Sequence, residues 1–202
     1  VPPQQIGDTR TLTLRIMEGR VGRVVVEGSR RYRDDQLNAS SLSLIGRPLR
    51  QAELERALLY ARDLPGVSVT SVLQPGQNEG ETDIVLIAQD SDHPYEITAG
   101  LSNHGTDSTG KYRAELGVSA FNALGAGDVL AASLGYGLDP ADSWQAALSL
   151  SVPFDDVQGL SGIVGISRSE MEVNRGPFAA MQLKGPTTMF YTGGDWKFIQ
   201  RT

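Results

Sequence analysis

The chain has 202 residues, 40% of them hydrophobic, with 23 glycines, no cysteine and a formal net charge of −6. No run of about 18 apolar residues exists, which excludes a membrane-spanning helix but not membrane strands, which need only about ten residues each. The lack of cysteine excludes a disulfide framework and a thiolate metal site. Through residue 90 there are 11 basic and 12 acidic residues, and beyond it 7 and 12. The acidity therefore sits in the second half, and no basic patch points to nucleic acid. The opening Val1-Pro2-Pro3 is neither the basic nor the apolar part of a signal peptide, so the sequence reads as processed or internal.

The first half reads as a mixed α/β module. Thr11 to Glu18 alternates Leu12, Leu14 and Ile16 against polar residues and predicts a strand; Val21 to Glu27 predicts a second. Tyr32 to Leu44 is polar with spaced leucines, a short and poorly capped helix broken by Gly46-Arg47-Pro48. Gln51 to Leu64 is the clearest helix: Leu54, Ala57, Leu58, Ala61 and Leu64 recur at three- and four-residue spacing, Glu53 and Arg56 can pair on the wet face, and Pro65-Gly66 stops it. Val67 to Leu73 and Thr82 to Ala88 alternate as strands around a turn at Gln74 to Gly80. From Val21 the order is βααββ, with Leu54, Leu58, Ile84 and Leu86 expected in one core.

Near residue 92 the style changes. Segments Tyr95 to Asn103, Lys111 to Phe121, Asp128 to Gly137, Ser143 to Val152 and Gly162 to Val173 each alternate, with a less regular sixth from Phe178 onward. The linkers carry turn residues, as in Gly125-Ala126-Gly127-Asp128, which suits an antiparallel meander. Period two sends successive side chains to opposite faces. Tyr112, Leu116, Val118, Leu134, Leu148 and Leu150 are expected on an apolar face that meets lipid. Arg113, Glu115, Ser133 and Ser149 are expected on a small-polar face that lines a lumen. Tyr95, Tyr112, Phe121, Tyr136, Trp144 and Phe154, near segment ends, suit interfacial girdles. In Gly162 to Val173, Val164 and Ile166 share a face with Arg168, Glu170 and Glu172: the strand outruns the lipid, or a bulge flips the face. A soluble β-sandwich alternates in the same way and stays open as the other reading.

No catalytic constellation is visible. His93 and His104 stand apart beside Pro94 and Gly105 and read as loop residues rather than metal ligands. Gly125-Ala126-Gly127 lacks the strand-to-helix setting of a phosphate loop. Binding chemistry has more support. If Val67 to Leu73 is an edge strand, the free backbone groups around Val67, Val69, Ser71 and Leu73 can take up an extended partner segment. Leu59 and Tyr60, off the main apolar stripe of the helix, are the side chains best placed for contact.

Within residues 12 to 88, Gly46, Pro48, Leu49, Leu54 to Leu58, Leu64 to Val67, Pro75, Gly76, Gly80, Thr82 and Asp83 form an ordered pattern. It resembles the second POTRA domain of two-partner secretion transporters, the haemolysin-activator and haemagglutinin type. Residues 100 to 137 are similar to the first barrel hairpins of that family. The resemblance implies an α+β POTRA domain followed by antiparallel transmembrane β-barrel strands, a partial barrel. Residues 1–20 would end a first POTRA domain, 21–90 form the second, and 95–202 supply the N-terminal strands of a sixteen-stranded barrel. The family's Arg-Gly-aromatic pore motif has no counterpart before Thr202. It further implies a non-enzymatic, cofactor-free translocation pore in the outer membrane of a Gram-negative bacterium, with the POTRA part in the periplasm. The partners would be outer-membrane lipid and a secreted exoprotein carrying an N-terminal secretion domain, with no nucleic acid and no small-molecule substrate. An outer-membrane assembly factor of the same superfamily and a soluble periplasmic binding module are the alternatives.

Overall fold

The computed structural model describes residues 18–105, 111–138, 143–155, 160–172, 179–181 and 184–196. Most of the predicted strand at Thr11 to Glu18 lies outside them. The first unit is a βααββ module: β1 (Arg20–Glu27), α1 (Asp34–Asn38), a 3-10 turn (Ser41–Leu44), α2 (Gln51–Asp63), β2 (Val67–Pro75) and β3 (Glu81–Asp90). The helix expected over Tyr32 to Leu44 is thus two short pieces. The Gln36 side chain accepts the backbone N–H of Arg33 (3.0 Å) at the start of α1 and gives that short helix its cap. On α2, Glu53 pairs backward with Arg50 (3.7 Å), not forward with Arg56.

The three strands lie in the order β1-β3-β2, with β3 parallel to β1 and antiparallel to β2. Ile84, Leu86 and Ala88 project from central β3 onto Ala57, Leu58, Ala61 and Leu64, and all are buried. Leu54 packs against this core from its margin. The core sits on one side of the sheet, so the module is two layers deep.

The second unit is a six-stranded antiparallel meander of β4 (Tyr95–Ser102), β5 (Arg113–Phe121), β6 (Val129–Gly137), β7 (Ser143–Asp155), β8 (Leu160–Glu172) and β9 (Lys184–Trp196), paired in chain order. Its register separates the side chains cleanly. One face carries rows such as Ile97, Val118, Ala132, Leu148, Ile166 and Phe190; the other carries Thr98, Gly117, Ser133, Ala147, Ser167 and Met189. Register is unbroken from Ser143 to Pro153 against β8, so no bulge flips the face. Arg168 and Glu170 follow Val164 and Ile166 on the apolar side. Lys184 binds Glu172 (3.0 Å) and Glu170 (3.4 Å) at the end of the hairpin.

The apolar band steps across this sheet. On β4 it reaches Leu101, whose row contains Glu170; on β8 it stops at Ile166, four residues short of Glu170. Its lower margin falls likewise, from Tyr95 on β4 to the paired Leu160 and Trp196 on β8 and β9. Two aromatic rings cover strand glycines: Tyr191 lies over Gly165 on the small-polar face, and Phe154 over Gly162 on the apolar face. Phe121, expected in a girdle, belongs to the small-polar face, in the row of Val129 and Ser151.

Candidate functional site

Backbone hydrogen bonds bracket β2 at both ends. Gly76 N–H donates to Glu81 O and Ser91 N–H to Gly66 O, both at 2.9 Å. Because antiparallel pairs alternate, even-numbered residues of β2 bond β3, and Val67, Val69, Ser71 and Leu73 turn their N–H and C=O outward. An independent contact agrees: Arg62 Nε donates to Val69 O at 3.3 Å from outside the sheet. The other margin of the module is partly covered. Val21 N–H donates to Arg47 O (3.0 Å), Gly46 N–H to Val21 O (2.8 Å) and Leu49 N–H to Gly19 O (3.1 Å), so the segment after the 3-10 turn occupies the start of the β1 edge. Among the described residues, β2 presents the longer open edge.

The side chains on that edge divide. Val69 is buried in the core and Val67 packs against it, so these two offer a partner backbone only. Leu73 (47% exposed) and Leu59 (45%) are accessible. Tyr60 packs against the core and is half-buried, so only part of its ring is open to a partner. Leu58 and Ala61, beside them on α2, are core residues.

In the wall, all the residues expected to face lipid share one face. Leu116 pairs with Leu134, Leu134 with Ala146, Leu148 with Ile166 and Leu150 with Val164. Tyr112 lies just beyond β5, also exposed. Arg113, Glu115, Ser133 and Ser149 share the opposite face. No second layer covers the apolar face among the described residues: Ile97 is 61% exposed, Leu116 47%, Leu148 47% and Phe190 77%. A water-soluble sandwich would bury this face.

The foot of the wall touches the module. The β5–β6 turn brings Asn122 Nδ2 to Arg31 O (2.8 Å) and Gly125 O to Gln36 Nε2 (3.1 Å). Tyr32 donates its hydroxyl to Pro65 O at 2.6 Å. Burial, then the carboxylates of Asp128 and Asp90, push its phenol well above the ordinary range, so it stays a donor. Beside this junction, at the end of β3, burial alone would raise the carboxyl of Asp90. Bonds from Arg30 N–H, Ser29 Oγ and Arg31 N–H, with the Arg31 charge, hold it below the ordinary range instead. Sequence reasoning missed this junction because its partners lie about ninety positions apart. No group of metal-ligating side chains occurs among the described residues. His93 is exposed and edge-on to Tyr95 (5.8 Å).

An α/β module carrying an open strand edge, joined to an antiparallel sheet that leaves its large apolar face bare, is the architecture of an outer-membrane β protein. The haemolysin secretion/activation protein family ShlB/FhaC/HecB matches over residues 80–181, half of the chain, and the chain belongs to that family. The hemolysin transporter protein ShlB of Serratia marcescens is 28% identical over 192 residues, covering 94% of this chain and 33% of its own. Among solved structures, CdiB from Escherichia coli superposes with a TM-score of 0.61 at 23% identity, covering 88% of this chain and 32% of that one. BamA from Haemophilus ducreyi lacking POTRA domains 1–3 gives 0.66 at 17% identity, covering 87% and 32%. The chain spans about a third of the length of the curated relatives it matches.

Proposed function

We propose that residues 1–20 end a first POTRA domain, 21–90 form a second POTRA domain, and 95–202 form the N-terminal strands of an outer-membrane β-barrel. The complete protein is then the translocation pore of two-partner secretion, a transporter and not an enzyme. Its periplasmic module recognises the exported partner, and its barrel conducts it across the membrane. Tyr112, Leu116, Val118, Leu134, Leu148 and Leu150 meet lipid, and Arg113, Glu115, Ser133 and Ser149 line the lumen. The stepped apolar band supports the barrel reading. Barrel strands tilt by about 40° and lie about 4.8 Å apart, so a level membrane belt must slip about 4 Å, roughly one residue, from strand to strand. From Leu101 on β4 to Ile166 on β8 the margin drops four residues over four steps, which averages to that slip; the drop itself falls between β7 and β8, since Tyr136 and Trp144 still stand in the row of Leu101.

The observation that carries the recognition step is the open edge of β2. An extended segment of the exported protein adds there as a fourth strand, bonding the outward groups of Val67, Val69, Ser71 and Leu73 and touching Leu59. Ser71→Pro tests this. It removes an outward N–H without breaking a bond to β3, which an edge strand tolerates. In the complete transporter, export of the partner should fall while the protein's level in the outer membrane is unchanged. Undiminished export would move recognition off this edge, most simply to the exposed face of α2.

A further inference from the structure

The junction between module and wall is built from side chains with two tasks each. Asn122 begins the β5–β6 turn with φ at +51°, a left-handed conformation that asparagine adopts more readily than most residues. Its Oδ1 accepts Gly127 N–H (2.9 Å) and closes the turn; its Nδ2 crosses to Arg31 O in the module. Gln36 mirrors it. Its Oε1 caps α1 at Arg33 N–H, and its Nε2 crosses to Gly125 O in the turn. An amide side chain has one acceptor end and one donor end, so each of these residues holds its own unit with oxygen and the other unit with nitrogen. The turn that receives them is stiff. Asp128 is fully buried, and its carboxylate accepts Leu124 N–H (2.9 and 3.1 Å) and Ala126 N–H (3.3 Å).

Apolar contacts run beside the amides. The Phe121 side chain lies 3.1 Å from where a Cβ on Gly66 would stand, and Leu64 lies 3.4 Å from the same position on Gly127. Both gaps suit glycine, and Gly66 also needs it for φ +73°. Gly66 immediately precedes β2, so the wall grips the module at the root of its open edge.

We propose that the β5–β6 turn is a pin that fixes the orientation of the module on the wall, with its hold concentrated in the Asn122 and Gln36 amides. The root of the β2 edge is thereby held against the foot of β5, on the face of the wall that carries Arg113 and Glu115. The pin stands whatever segment that edge binds.

The test uses nearly isosteric variants that put a carboxylate oxygen in place of each crossing donor. Asn122→Asp keeps the acceptor for Gly127 N–H but turns an oxygen toward Arg31 O; Gln36→Glu keeps the cap of α1 but turns an oxygen toward Gly125 O. In the complete protein in detergent, spin labels at Glu55 on α2 and Ala132 on the wall report the junction by pulsed dipolar spectroscopy. A second pair, Glu55 and Thr70, reports the module alone. The unsubstituted junction should give one narrow distance distribution. Each variant should raise the detached-to-docked ratio at least about fivefold, the weight of one net hydrogen bond, and the two together should produce a broad second population while the module pair stays narrow. If the module pair also broadens in the double variant, Asn122→Asp alone decides, because it alters no module residue. A junction distribution unchanged in Asn122→Asp overturns the proposal.

Discussion

Leu58 and Leu59 are neighbours on α2 with opposite fates, and truncating each in turn reads the rotation of the helix directly. Leu58 is 3% exposed and Leu59 45%. Leucine to alanine removes three carbons, worth about 0.8 kcal/mol each, or roughly 2.4 kcal/mol of transfer free energy for a buried site. Against Ile84 and Leu86, both fully buried, the site has little room to collapse. A residual cavity of about 50 Å³ would add roughly 1 kcal/mol. Leu58→Ala should therefore cost about 3–4 kcal/mol, and Leu59→Ala less than about 1 kcal/mol, since half its surface is already wet and no cavity forms. Every member of the core lies between Val21 and Ala88, so residues 18–90 are the piece to melt. With a urea slope of about 1 kcal/mol per molar for so small a domain, the midpoints should drop by roughly 3 M and under 1 M respectively. Loss of the folded state before any urea is added would be the same result for Leu58 in its extreme form. Equal costs, or a cost below about 0.5 kcal/mol for Leu58, would mean that α2 is rotated and the core misassigned.

In the wall, Leu148→Arg should cost roughly 2–4 kcal/mol if it sits at the bilayer midplane, whereas Ser149→Arg should be tolerated. Spin labels along Ser143 to Val152 should show lipid accessibility that is high at even positions, and a flat profile would remove the barrel reading of β7. Removing the guanidinium that caps Val69 O, by Arg62→Ala, frees one group on the open edge and should raise capture of the extended partner segment; titration of the complete protein with that segment would show it. Asp90 supplies a pH signature. Its folded-state pKa is depressed, so its contribution is complete above the ordinary aspartate value of about 3.9 and is lost as pH falls through the lower folded value. Thermal melts of residues 18–90 should steepen their loss of stability only below about pH 4, and Asp90→Asn should flatten that limb.

The strands of the wall were readable because one face of the sheet is apolar and the other small or polar, so each strand alternates with period two. β9 escaped this. Met189, Phe190 and Tyr191 are consecutive and large, so no alternation shows. Phe190 faces outward, but Tyr191 turns to the small-polar face and fills the space above Gly165. An aromatic ring paired with a glycine across a strand cannot be seen from either residue alone. In the module, the apolar spacing located α2, while the short α1 starts on a cap, Gln36, whose donor end serves a distant turn. Phe121 misled for a similar reason: an aromatic at a strand end suggests a girdle, and only the register shows that it faces the other way and meets Gly66. Tyr60 lies off the helical stripe, yet its ring is long enough to reach back to the core.

The slip of the apolar band means that hydrogen-bonded rows are not contours of equal depth. Leu116, Leu134 and Arg168 stand in one row, joined through Ala146, yet a guanidinium is at home in the last position where leucines fill the first two. In the proposed barrel, travelling along that row climbs out of the oil toward the headgroups. A charge moved along it one strand at a time should therefore grow less costly at each step, with no change in its row. Membrane altitude in this wall is read on the diagonal.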